Sequence, residues 1–309
     1  MTMKDTSHWN WPGHRPYAGE VPECGFPKAI ILPVPYDATS TWGKGADLGP
    51  EALFDALENM ELFDIETGSE VHREGILIAP PLDLHSASAA DELSPESMVE
   101  RVFASVSGIF EVGALPVLVG GEHSVSIGAI QAAAVHCDNL AVLQLDAHSD
   151  LRPEFHGSTC NHACALHWAS RNLPLVQVGI RSTEAHERVF EQAGRVFHAG
   201  RCHHESDARW IAAAVEALGP AGTPVYITVD LDVFDPAHLP DTGTPEPGGL
   251  NWYQVTGLIR EAALRHPIVG MDVVELAPRT PNSPSAFTAA KLLHKMLTYA
   301  LNPEPLPLP

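Results

Sequence analysis

Four apolar runs in this sequence end in acids or histidines. Run 115–119 leads into Gly120-Gly121-Glu122-His123-Ser124, and run 140–145 into Asp146-Ala147-His148-Ser149-Asp150. Run 225–229 leads into Asp230-Leu231-Asp232, and run 268–274 into Glu275. Residues two apart in an extended segment project to the same side, which pairs Asp146 with His148 and Asp230 with Asp232. With His123 and Asp150 these make six ligands, all carboxylate or imidazole and none thiolate. That is more than one tetrahedral zinc takes, and it suits two harder cations such as Mn²⁺. Taken singly, Asp-Ala-His is more often a turn or a helix cap, and His123 beside two glycines could be an ordinary loop histidine. Taken together, a buried Asp230/Asp232 pair without a cation would leave unpaired charges costing several kcal/mol each. The joint pattern points to a metal site.

The elements that must carry these residues follow from the apolar periodicity. Strands are expected at 29–34, 75–79, 115–119, 140–145, 175–178, 225–229 and 268–273, each bounded by Gly, Pro or Asp and apolar enough to be buried on both faces. Amphipathic helices are expected at 95–112 behind the cap Ser94, 125–135, 183–192 behind Ser182, 207–218, 252–264 and 285–300. Such alternation predicts a parallel sheet covered by helices on both sides. In open α/β sheets ligands gather beyond the carboxyl ends of the strands, which is where the acids and histidines stand. No internal repeat or low-complexity linker interrupts the pattern, and one domain over residues 1–309 is expected. Residues 1–27 are expected to form an N-terminal arm in which Trp9, Trp11 and Tyr17 cover an apolar patch or a neighbouring subunit, with ordinary packing of the arm an equal alternative. The tail 302–309, with four prolines, is expected to be an extended or disordered end.

Composition narrows the functional classes. Eighteen Lys and Arg against 39 Asp and Glu give a net charge of −21, which argues against a nucleic-acid surface and mildly favours a cationic ligand. No apolar run approaches the roughly 18 residues needed to cross a bilayer. No signal-peptide block stands at the N-terminus, so the cytoplasm is the expected location. Cys24, Cys137, Cys160, Cys164 and Cys202 are an odd set without zinc-knuckle spacing, and free thiols in a reducing compartment are the simplest reading.

The motifs GGEHS (120–124), DAHSD (146–150), VDLDVFDP (229–236), GTPEPGG (243–249) and DVVEL (272–276) occur in the order found in the ureohydrolases, the family of arginase, agmatinase and their relatives. The chain resembles that family from about residue 28 to about residue 300. The resemblance implies a three-layer α/β/α fold around a mostly parallel eight-stranded sheet, against seven strands read from the apolar runs. It also implies a homotrimer or homohexamer and two Mn²⁺ per subunit. His123, Asp146, Asp150 and Asp230 would hold one ion, and Asp146, His148, Asp230 and Asp232 the other. Glu122 stands where arginases usually carry Asp.

A guanidinium carbon is a poor electrophile and water a poor nucleophile, and a water between two cations loses a proton far more readily than bulk water. Glu275 is placed to accept paired hydrogen bonds from a guanidinium and fix its plane. The departing amine needs a proton, and His162 resembles the family's loop histidine, with His156 and His167 as rivals. The segment Leu151-Arg152-Pro153, with His156 beyond it, replaces the arginase residues that grip arginine's amino-acid head. The chain therefore looks more like agmatinases, and agmatine, a small cationic guanidino compound, is the expected substrate. Were Arg152 to face the substrate tail, 4-guanidinobutyrate would fit better, and arginine fits least well. Two other readings stand beside this one: a single-zinc deacetylase-like enzyme, separable by counting metal per chain, and a metal-stabilised binding protein that leaves Glu275 and His162 without a task.

Overall fold

The computed structural model describes residues 13–19, 26–85 and 93–302. The expectations for Trp9, Trp11, Cys24 and the tail beyond Asn302 lie outside them. Among the described residues nine strands form one sheet: β1 (Arg15–Pro16), β2 (Ala29–Val34), β3 (Ile76–Ile78), β4 (Leu115–Gly120), β5 (Ala141–Leu145), β6 (Leu175–Val178), β7 (Val196–Phe197), β8 (Val225–Asp230) and β9 (Ile268–Val274), in the order β1-β3-β2-β4-β9-β8-β5-β6-β7. Every pairing is parallel except β1 with β3. All seven apolar runs are strands. The two additions, β1 and β7, have two residues each and extend the edges.

Alternation along β2 shows why helices cover both faces. Ala29 and Ile31 join a core completed by α1 (Gly49–Leu57), α6 (Asp207–Ala217), α7 (Trp252–Arg265) and α8 (Pro284–Leu301). Ile30, Leu32 and Val34 join the opposite core, built on α2 (Pro95–Glu111), α3 (Val125–His136) and α4 (His167–Asn172). The result is a three-layer α/β/α fold. The short helix α5 (Ala199–His204) precedes α6. Helix starts are set by local chemistry. Ser94 Oγ accepts Ser97 N–H with Pro95 in the first turn, and Asn251 and Gln254 form a reciprocal capping box on α7. Helix α3 is apolar all round and correspondingly buried, which seats its N-terminus directly behind His123.

The helix expected at 183–192 does not form; only a 3₁₀ turn, Glu187–Phe190, is present. The backbone there is spent elsewhere: Ser182 N–H donates to Ala147 O, Ser149 N–H to Ser182 O, and Glu184 N–H to the Glu187 carboxylate at 3.0 Å. The segment is thereby tied to the loop after β5. Helices α1, α4 and α5 add to the expected set. The last two have six residues each, too few for a helical period to register. Among the described residues no helix is long and apolar enough to cross a membrane, and Cys137, Cys160, Cys164 and Cys202 are free thiols.

Tyr17, fully buried, anchors the start of the described chain on α8 through a 3.1 Å contact between its hydroxyl and His294 Nδ1. Burial, with help from the Lys291 charge, pushes the His294 imidazole from 6.5 down to about 4. The unfolded chain therefore takes up a proton between about pH 6.5 and 4 that the folded chain refuses, so stability is present above this window and falls as pH drops through it. The expected loss at this one group is roughly 3 kcal/mol. Urea titrations at pH 7 and 4.5 should show a smaller fall in His294→Gln than in the unchanged chain; equal falls would remove His294 from the acid response.

Candidate metal centre

Strands β4, β9, β8 and β5 are neighbours, and their carboxyl ends deliver His123, Glu275, Asp230 with Asp232, and Asp146 through Asp150 to one point. The chain passes from β4 to β5 by stepping across the places that β9 and β8 later fill, which creates the crevice expected at such a switch. Gly121 lets two loops meet there. A Cβ on it would lie 2.0 Å from the Tyr36 carbonyl oxygen, and its own carbonyl accepts Glu275 N–H at 2.8 Å.

The expected ligands converge, though not by strand alternation. β5 ends at Leu145 and β8 at Asp230, and a 3₁₀ turn, Leu231–Val233, follows β8. Tight turns past the strand ends do the work: His148 N–H donates to Asp146 Oδ1 at 2.6 Å and Asp232 N–H to Asp230 Oδ1 at 2.8 Å. The closest cross-pairing joins the two turns, with His148 Nδ1 at 2.8 Å from Asp232 Oδ2. Two groups result, His123/Asp146/Asp150 and Asp146/His148/Asp232, each with ligand atoms within 4.8 Å of one another. Asp146 is common to both. Asp230 stands with the first group, its Oδ2 lying 3.4 Å from His123 Nδ1.

Whether these residues suit metal ions is tested by His123. Three carboxylate oxygens, from Asp146, Asp150 and Asp230, lie 3.1, 3.1 and 3.4 Å from its Nδ1, yet this buried nitrogen makes no hydrogen bond. Its ring is set from behind. Thr228 Oγ1 donates to Asp272 Oδ1 at 2.6 Å and so accepts from His123 Nε2 at 2.9 Å, leaving the Nδ1 lone pair aimed among the oxygens. Burial first, then neighbouring carboxylates, pushes Asp146 and Asp230 upward. Burial also opposes charge on Asp232 and His148, but their contact overrides it, lowering the carboxyl and raising the imidazole. Four carboxylates in so small a volume call for cations. The donor set fits a pair.

Above these residues opens a cavity of about 300 Å³ whose lining includes His148, Asp150, Arg152, His162, Glu184, Glu187, Asp230 and Glu275. Glu275 accepts the His123 N–H through Oε1 at 2.7 Å. Its φ of 67°, like the 54° of Asp150, is left-handed, an uncommon state for a residue with a side chain. His162 lies in the cavity wall, and its imidazole is lowered by burial and by the charges of His123, His148 and Arg152, with Asp150 acting the other way. Arg152 lines the cavity with its charge engaged. Its Nε donates to Glu187 at 3.1 Å and an Nη to Glu184 at 3.2 Å, and the guanidinium stacks 4.3 Å from the Phe155 ring centre.

His156 does not reach the cavity, contrary to its expected substrate contact. Phe155 and Ser158 exchange backbone hydrogen bonds around His156 and Gly157, both at positive φ, so His156 sits exposed at a turn apex while Phe155 lines the cavity. The other rival, His167, donates its Nδ1–H to Leu151 O at 2.8 Å and packs on Phe190.

A sequence model of the family described as "Arginase family" matches residues 27–298. The chain belongs to the arginase family. It is 34% identical over 278 residues, 87% of this chain and 88% of the other, to an N(1)-aminopropylagmatine ureohydrolase of Synechocystis sp.. It is 30% identical to an agmatinase of Pyrococcus horikoshii, covering 85% of this chain and 89% of that one. Among solved structures it is similar to the agmatine ureohydrolase of Thermoplasma volcanium, with a TM-score of 0.76, 26% identity, and coverage of 97% and 95%. This arginase-family chain is accordingly a hydrolase of guanidino compounds with residues able to bind metal.

Several residues of this arginase-family site escaped the reading of strand ends. Gln144 Nε2 donates to Asp146 Oδ2 at 2.7 Å, and Gln177 in turn holds Gln144. Arg181 grips the carbonyls of Asp232 and Glu246. A signal existed for some of them: Gln144, Gln177, Thr228 and Asp272 are polar interruptions of otherwise buried strands, and such groups need specific partners. Glu184 and Glu187 carried no such mark.

Proposed function

We propose that this chain hydrolyses a guanidino compound with a cationic amine tail, agmatine in the first instance, to urea and putrescine. The observation that carries the reading is the pinning of Arg152. It is the one Lys or Arg in the described cavity lining, and Glu184 and Glu187 together more than balance it. A carboxylate tail would meet no free partner there, whereas an ammonium tail would meet an acidic wall.

His123, Asp146, Asp150 and Asp230 would hold one manganese ion and Asp146, His148, Asp230 and Asp232 the other. When bound, such a pair supplies an acidified water as nucleophile. Glu275 keeps Oε2 for the guanidinium and holds its plane against the reacting centre. His162, whose charged form burial disfavours, would take up the proton released as water adds to the guanidinium carbon and pass it to the departing amine. The net charge of −21 favours accumulation of a dication over a zwitterion.

A second reading keeps the chemistry and lengthens the substrate. Relatives named for N(1)-aminopropylagmatine are 31% to 35% identical to this chain. That compound carries one further cation, which an acidic wall also suits, and its products would be urea and spermidine.

Steady-state kinetics on agmatine, N(1)-aminopropylagmatine, arginine and 4-guanidinobutyrate decides between these. An amine-tailed compound is expected to have a kcat/KM roughly 10²-fold or more above both carboxylates, because a carboxylate would be desolvated without a partner. Arginine or guanidinobutyrate as best substrate refutes the proposal. So does a guanidinobutyrate activity that Arg152→Ala abolishes.

A further inference from the structure

Thr39 belongs to neither group of acids and histidines, yet it is the residue that holds His162. Its Oγ1 lies 3.1 Å from the His162 backbone nitrogen and 3.1 Å from the ring Nδ1, and it donates a short hydrogen bond to Glu122 Oε2. The loop carrying it is fixed: Glu122 N–H donates to Tyr36 O, Asp37 Oδ2 accepts Gly45 N–H at 2.7 Å, and Gly43 N–H donates to Gly243 O at 3.1 Å. Glu122 is fully buried and held in turn by Ser124 Oγ at 2.7 Å.

A hydroxyl oxygen has one proton and two lone pairs. With Glu122 as the carboxylate, the proton goes to Glu122, and one lone pair takes the His162 backbone N–H. What remains for Nδ1 is a lone pair, so Nδ1 must carry a hydrogen. We infer that Thr39 is a positioning residue that fixes neutral His162 as its Nδ1–H tautomer, leaving Nε2 as the nitrogen that exchanges a proton in the cavity. The partner of one ring nitrogen decides what the other can do. Thr228 treats His123 by the same logic with the nitrogens exchanged, so two hydroxyls set two histidines to opposite tautomers for different tasks. The inference rests on the proton-transfer reading of His162.

The test uses the manganese-loaded full chain with Thr39→Val, Thr39→Ser, His162→Ala and the Thr39→Val/His162→Ala double variant. Thr39→Val should lower kcat about 10- to 100-fold with KM and metal content unchanged, the loss typical when a supporting partner is removed. Thr39→Ser should stay within a few-fold of the unchanged chain. In the His162→Ala background, Thr39→Val should cost nothing further. A full-speed Thr39→Val, a Thr39→Ser as slow as Thr39→Val, or an undiminished loss in the double variant overturns the inference. A second readout is independent of turnover. With ¹⁵N-labelled histidines and a diamagnetic divalent ion in place of manganese, the resonance that disappears in His162→Ala should show the Nδ1–H pattern and lose it in Thr39→Val. An Nε2–H pattern in the unchanged chain overturns the inference directly. A full-speed His162→Ala would instead sink the proton-transfer reading while leaving the tautomer to the spectrum.

Discussion

Asp232→Ala is expected to leave one divalent ion per chain in place of two and to reduce urea release by about 10³-fold or more. Asp232 belongs only to the second ligand group, where its Oδ2 meets His148 Nδ1 at 2.8 Å while Oδ1 accepts the Ala147 N–H at 2.9 Å. The first group keeps its own donors, His123, Asp146 and Asp150, so it should still load. Losing a partner behind a ligand costs roughly 10- to 100-fold, and losing a ligand outright should cost more. The same logic predicts that chelation silences the enzyme and that added Mn²⁺ restores it. Elemental analysis beside a urea assay checks both. A single tightly held zinc with turnover indifferent to manganese would refute the two-ion reading and revive the deacetylase-like one.

His162→Ala should behave differently, keeping both ions while turnover falls on the order of 10² to 10⁴-fold, the usual contribution of a positioned proton-transfer group. The separation arises because His162 stands in the cavity wall and belongs to neither ligand group. Since burial lowers its pKa, its protonation should appear in the rate profile below the ordinary histidine range, and that limb should vanish in the variant. Added imidazole, small enough for the space left, should return part of the lost rate. Unchanged turnover in His162→Ala would take this residue out of the mechanism.

The convergence of these acids and histidines was legible because strands end abruptly and polar residues just beyond them have few other reasons to be acidic. Periodicity also found the seven longer strands, since buried parallel strands are nearly continuous apolar runs. It could not find β1 or β7, whose two residues carry no period. Convergence comes not from alternation along a strand but from turns that fold Asp146 onto His148 and Asp230 onto Asp232. The cavity wall was harder still. Residues 182–192 have a capped, helical look, and only the tertiary partners Ala147 and Ser149 draw that backbone away from a helix. Glu184 and Glu187 face Arg152 as a result, and nothing local announces it. His156 and His162 look alike as loop histidines; a turn at His156-Gly157 and a hydroxyl at Thr39 decide which one faces the cavity.

The left-handed backbone at Asp150 and Glu275 sets stability selection against activity. Each such residue costs of order 1–3 kcal/mol compared with a relaxed conformation, and glycine would bear the same angles nearly free of strain. A library of variants enriched only for heat resistance should therefore gather glycine at these two positions, yielding sturdier proteins with an emptied site. Selection that also demands turnover should hold the acid in place, and stabilising changes would then accumulate in the helical layers, far from the strand ends.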